Sequence, residues 1–144
     1  MSNARSQIVD SLITKLKLIN GKSPYKTTVY GNVHKGVEFW DSINDYPSIY
    51  VAPGFETREY HPGEFKWGFL IITLRVFVKE SDPQARLEKV ISDIETVVDA
   101  NNDLVFDKTN ASVDIRILSI DTDEGLLTPY GAGEVKLEVR YEVT

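Results

Sequence analysis

Residues 65–98 read FKWGFLIITLRVFVKESDPQARLEKVISDIETVV, and two periodicities meet inside this stretch. In its first half Phe69 and Ile71 alternate with Leu70, Ile72 and Leu74, so an extended segment would be apolar on both faces. That pattern predicts a strand over 65–80, buried on both sides and therefore central in a sheet. In the second half Leu87, Val90, Ile91, Ile94, Val97 and Val98 fall on one stripe at helical spacing. Two start signals compete for this helix. Ser81 with Gln84 fits a capping box, while Asp82-Pro83 fits a cap followed by proline at the first helical position. Asn101-Asn102 ends it. A long strand followed at once by a one-sided helix implies a helix laid on a sheet.

The flanking sequence extends that plan. From 4 to 19, Ile8, Val9, Leu12, Ile13, Leu16 and Ile19 recur at helical spacing, and Asn20-Gly21 is a natural stop. Strands are expected at 27–33 (TTVYGNV), 48–52 (SIYVA) and 112–120 (SVDIRILSI). The last, 134–143, alternates without fault. Val135, Leu137, Val139, Tyr141 and Val143 take one face, and Glu134, Lys136, Glu138, Arg140 and Glu142 take the other. The fold expected is one α+β domain over 1–144. Its core is a single mixed β-sheet of about five to six strands packed by two amphipathic helices, with a projecting β-hairpin.

The hairpin is centred on His61-Pro62-Gly63-Glu64, with Pro and Gly where a type II turn needs them. Its first limb, ETREYH, is polar on both faces. Such a limb is either a solvated, charge-protected edge or an arm that pairs with a neighbouring subunit. On the second reading Arg58, Tyr60, His61 and Glu64 are the interface candidates. A second unusual stretch is the acidic, turn-rich DTDEGLLTPYGAG at 121–133, read as a loop at the end of the strand that seals the sheet. Loops on rigid scaffolds often carry binding residues. Asp121, Asp123, Glu124 and Tyr130 are the candidates there, set against the simpler reading that three acids only solvate a turn.

Composition excludes several function classes. There is no cysteine, hence no disulfide framework, thiolate nucleophile or cysteine zinc site. The net charge is −6, and Lys15-Leu16-Lys17 is the nearest thing to a basic cluster. Cations there suit the end of a helix, and nothing else in the chain suits gripping a phosphate backbone. The longest apolar run, FLII, is four residues, against the ~20 of a membrane span. The start MSNARSQIVD lacks a signal-peptide core, so a cytoplasmic site of synthesis and retention is expected and the sequon at Asn110 carries no glycan.

Catalytic motifs fail one by one. His34 and His61 lack a metal-spaced partner. In YGAGEV the third glycine position is Lys136 and a strand follows, so the dinucleotide fingerprint fails. In DTDEG the glycine falls one place early and position 12 is Ala132, which rules out an EF-hand. No nucleophile elbow or Walker loop occurs. Asp121, Asp123 and Glu124 could form an acid–base pair only with pocket residues that the sequence does not show. Neither catalysis nor a cofactor is expected.

Three stretches carry a resemblance: YGNVHKGVEFWDSINDYPSIYVAPGFETREY, LRVFVKESDPQARLEKVISDIETVV and SIDTDEGLLTPYGAGEVKLEVRYEV. Together, in element order across nearly the whole chain, they resemble the tail terminator proteins of tailed bacteriophages, the group that includes the lambda minor tail protein U. The resemblance implies a structural virion protein at the head-proximal end of the tail, assembled in the host bacterial cytoplasm. It implies a homohexameric ring that caps the tail tube, stops its polymerisation and meets the head–tail connector protein. Its partners would be further copies of itself, the tube protein, the connector and, in a contractile tail, the sheath, while genomic DNA passes through without specific binding. Two other readings compete: a different head–tail joining or tail-completion component, and a small enzyme or ligand-binding domain.

Overall fold

The break at Ser81-Asp82-Pro83 separates strand from helix in three dimensions as it does in sequence. The structure, a computed structural model, describes residues 4–107 and 110–143. In chain order the elements are α1 (Ala4–Leu16), β1 (Val33–Lys35), a 3-10 turn (Trp40–Ser42), β2 (Ser48–His61), β3 (Phe65–Lys79), α2 (Pro83–Ala100), β4 (Ser112–Thr122) and β5 (Tyr130–Val143). The strands form one sheet in the order β1-β2-β3-β5-β4. Only β1 and β2 run parallel; the other three pairings are antiparallel. The sheet is mixed and has two helices, as expected.

Both helices contribute to one apolar layer against one face of the sheet. Ile8, Leu12 and Leu16 of α1 and Leu87, Val90, Ile94 and Val97 of α2 join Leu70, Ile72, Leu74 and Val76 of β3 in a single buried cluster. Leu137 and Val139 of β5 complete it. At α2 the proline reading of the start prevails: Asp82 is the N-cap, its side chain accepts the Ala85 N–H at 3.3 Å, and Pro83 opens the helix.

Several expectations need correction. β3 is central, but from Gly68 to Val76 only the even-numbered residues are buried; Phe69, Ile71 and Thr73 are half-exposed on a face that neither described helix covers. Apolar residues there shield each other and the strands beside them. The strand expected at 27–33 is absent. Thr28 makes one bridge to Asn20, Tyr30 and Gly31 turn with positive φ, and Val33 merely begins β1. The β-branched composition of TTV is overridden by a side chain from α2: buried Asp93 accepts the N–H groups of Lys26 and Thr27, each at 2.8 Å, and the Thr27 hydroxyl at 2.6 Å. SIYVA and ETREYH belong to one 14-residue strand that continues through a bulge between Pro53 and Glu56. Finally, β5 lies inside the sheet and β4 forms its edge, so the closing strand does not seal it. The loop between them is shorter than 121–133, because β4 runs to Thr122 and β5 starts at Tyr130.

Candidate functional site

The β2–β3 hairpin turns where the sequence places it. His61 pairs with Phe65 across Pro62-Gly63-Glu64, with Gly63 and Glu64 both at positive φ. Gly63 supplies the left-handed residue that a type II turn requires. Along the distal limb Arg58, Tyr60, His61 and Glu64 are all exposed. Arg58 donates to Glu56 at 2.7 Å, Lys66 sits over the Tyr60 ring at 5.6 Å, and His61 contacts Glu59 at 2.7 Å.

Beneath this limb lies a brace that sequence reading missed. Tyr141, the largest fully buried side chain, stacks edge-on against Phe106 at 6.0 Å and donates its hydroxyl to Glu56 at 2.8 Å. Glu56 in turn accepts from Arg58, its own side chain almost wholly covered. Burial, then the bond to Glu56, pushes the Tyr141 hydroxyl up to about 12. Gly68 makes this possible: a Cβ there would stand 2.7 Å from the Tyr141 ring. The only sequence signals were a glycine inside an apolar strand and a tyrosine on the core face of β5. Arg58 is thus shared between the brace and the surface.

The acidic loop is more ordered than its composition suggests. The Asp123 carboxylate accepts the Leu127 N–H at 3.1 Å and the Ala132 N–H at 3.3 Å, and its own N–H donates to Ala132 O at 2.9 Å. Asp123 is therefore a loop staple of the kind short acidic side chains make in turns. Glu124 is exposed at φ 55 beside Gly125, while Asp121 is exposed near the end of β4 opposite Glu134. Tyr130 is half-buried, 5.9 Å from the Tyr46 ring, with Lys79 Nζ 5.2 Å from its centre. Pro129 O accepts from Glu80 N at 2.9 Å, tying the loop to the segment that joins β3 to α2.

These two candidate clusters do not meet. Tyr130 pairs with Lys79 at one end of β3, and His61 pairs with Phe65 at the other. Fifteen residues of extended chain separate them, a span of roughly 45 Å. Between them the uncovered face carries charges that largely neutralise one another. Glu134 lies 3.8 Å from Arg75 and 3.6 Å from Lys136, Asp114 lies 3.4 Å from Arg116, and the Arg140 guanidinium covers Trp67 at 4.7 Å. A hollow of about 220 Å³ lined by Arg75, Asp121 and Glu134 lies on this face, and one of about 120 Å³ lies near Tyr46 and Arg86. Both fall below the usual range for ligand pockets of roughly 300–1,000 Å³. Among the described residues no group of three or more His, Asp or Glu is gathered as a metal site would need. The geometry offers surfaces and edges instead of a cavity.

Comparison with known proteins gives those surfaces a class. A sequence profile described as Bacteriophage Tail Tube Terminator Protein matches residues 2–144, and the chain belongs to that family. It is a structural component of the phage tail, not an enzyme. One curated relative is the tail tube terminator protein p142 of Escherichia phage T5, 36% identical over 150 residues covering 96% of this chain and 93% of that protein. A solved structure described as the virion of a native gene transfer agent particle contains a chain that matches 98% of this one and is itself 99% covered. Its TM-score is 0.64 at 12% identity, a likeness of fold.

Proposed function

We propose that copies of this chain close into a six-membered ring on the end of the tail tube. The ring ends tube polymerisation, gives the head connector its docking face and lets DNA pass without specific binding. The observation that carries this reading is the layout of one sheet. Its two ends, about 45 Å apart, present chemically different groups, an aromatic hairpin tip whose acids and bases are paired at one and an acidic, tyrosine-bearing loop at the other. A cap between a tube and a connector needs two dissimilar faces, and lateral contacts that leave both free. Heterologous contacts of this kind close into a ring when the rotation permits. The family and the T5 relative support the terminating role.

The test is growth of the cognate tube protein, followed by negative-stain microscopy with and without this chain. Tubes capped by a six-fold ring and arrested in length are the expected result. Tubes that elongate past the added protein, with no density at their ends, would overturn it.

A further inference from the structure

Among the described residues the sheet ends in two edges without a strand partner. On one side β1 stops with Lys35 opposite Val51, so residues 52–61 of β2 have no outer strand, and Arg5 of α1 meets only the Gly54 carbonyl there. On the other side β4 is the last strand along its whole length. Each edge breaks register near the same height. On β2, Gly54 and Phe55 are extra residues between the pairs Pro53↔Ile72 and Glu56↔Leu70. On β4, Leu118 is extra between Ile117 and Ser119, whose β5 partners Leu137 and Lys136 pair with Ile72 and Thr73. Both bulges therefore lie within about a residue of Ile72 of β3, on opposite edges.

Each bulge also bears a large apolar side chain in solvent. Phe55 is 71% exposed and Leu118 47%, with Ile120 exposed beside it. Val37 and Phe39, in the segment that leaves β1 at its Val51 end, are exposed too. Edges are ordinarily protected by charge and by bulges that turn apolar groups away. Here the bulges hold apolar groups outward at matched heights. Strand direction completes the match. Three antiparallel steps separate β2 from β4, so the two edges run in opposite senses. A second copy set alongside in the same orientation brings its β4 antiparallel to this β2, with no flip.

We propose that Phe55 on the β2 edge of one copy packs against Leu118 and Ile120 on the β4 edge of the next, joining copies of this chain head to tail. The inference rests on the ring reading and names its lateral contact. Because the chain has no cysteine, introduced thiols are unique reporters. Phe55→Cys, Leu118→Cys and the double variant are each treated with a short bismaleimide. The double variant should give a covalent ladder ending at the mass of the closed ring, and each single variant should stay uncrosslinked. Crosslinking of either single variant with itself would reveal a face-to-face contact and overturn the proposal. A double variant that light scattering shows to be assembled, yet that does not crosslink, overturns this contact and leaves the ring standing. A wild-type chain that stays monomeric at every concentration overturns both. Phe55→Asp, folded by circular dichroism, should lose assembly; wild-type assembly by that variant would count against the contact.

Discussion

At Tyr141 one hydroxyl joins the core to the hairpin limb, and its titration makes the joint measurable. As pH rises past the ordinary tyrosine value near 10, the unfolded chain loses this proton while the folded chain keeps it up to about 12. The stability the group contributes is complete below 10 and is lost as pH climbs through that window. Tyr141→Phe should cost about 1 kcal/mol near neutral pH, the usual worth of such a bond. The gap to wild type should shrink when urea unfolding is repeated at increasing pH above 10. Tyr46 and Tyr50, also raised by burial, titrate in both proteins and cancel in the difference. A gap that stays constant or widens with pH would show that the hydroxyl is not held as described. Asp93 is a second such residue. Its carboxylate serves three donors from 26–27, so Asp93→Ala strands them and should cost roughly 2–4 kcal/mol by urea unfolding. A loss under about 0.5 kcal/mol would mean that the segment holds itself. Neither role was legible in sequence. A single aspartate inside ISDIETVV reads as the wet face of a helix, because the segment it serves lies more than sixty residues away.

The elements that sequence reading located well are those in which periodicity and local chemistry agree. In β5 ten residues alternate without fault, in α2 the apolar stripe has a cap at its start, and in β3 apolar residues on both faces mark the central strand although one face stays uncovered. The failure at 27–33 has the opposite cause. Three β-formers in a row are a weak vote, and a side chain from α2 captures the backbone that a sheet would have used. The bulge at Pro53–Glu56 hid the continuity of β2, since Pro-Gly inside a run normally marks its end. Packing at this scale also makes a forecast. Ile72 and Leu74 of β3 and Ile94 of α2 are fully buried in one cluster. Truncating any one to Ala should cost about 2–5 kcal/mol in chemical denaturation, the range for large core side chains. Losses below about 1 kcal/mol at all three would mean that the helix does not seat on the strand as described.

For the whole molecule, the proposed ring would give the sheet's two faces different roles. Copies joined through β2 and β4 would curve one face inward, and because two helices need more circumference than a bare sheet, α1 and α2 would take the outside. The channel of such a ring would be lined by the uncovered face, where β5 alternates Glu134, Lys136, Glu138, Arg140 and Glu142 and basic groups are neighboured by acids. A duplex would meet no cationic track there, in keeping with a chain of net charge −6. Asp121 stands on that face, and Glu124 is exposed in the loop just beyond it. Asp123 is excluded from the test because it staples the loop. Asp121→Lys with Glu124→Lys should leave the fold and ring intact, within about 0.5 kcal/mol of wild-type stability, as for other exposed sites. It should nevertheless create DNA retention that weakens steeply with added salt, because new cations near the channel pair with phosphates and release counterions. Gel shift and filter binding on the assembled protein, at several salt concentrations, read this directly. Lost connector or tube binding without DNA retention would move the acids from the channel to a docking face. Phage carrying the double substitution that package, eject and infect normally, with no DNA retention in vitro, would reduce these acids to solvent-facing residues of a turn.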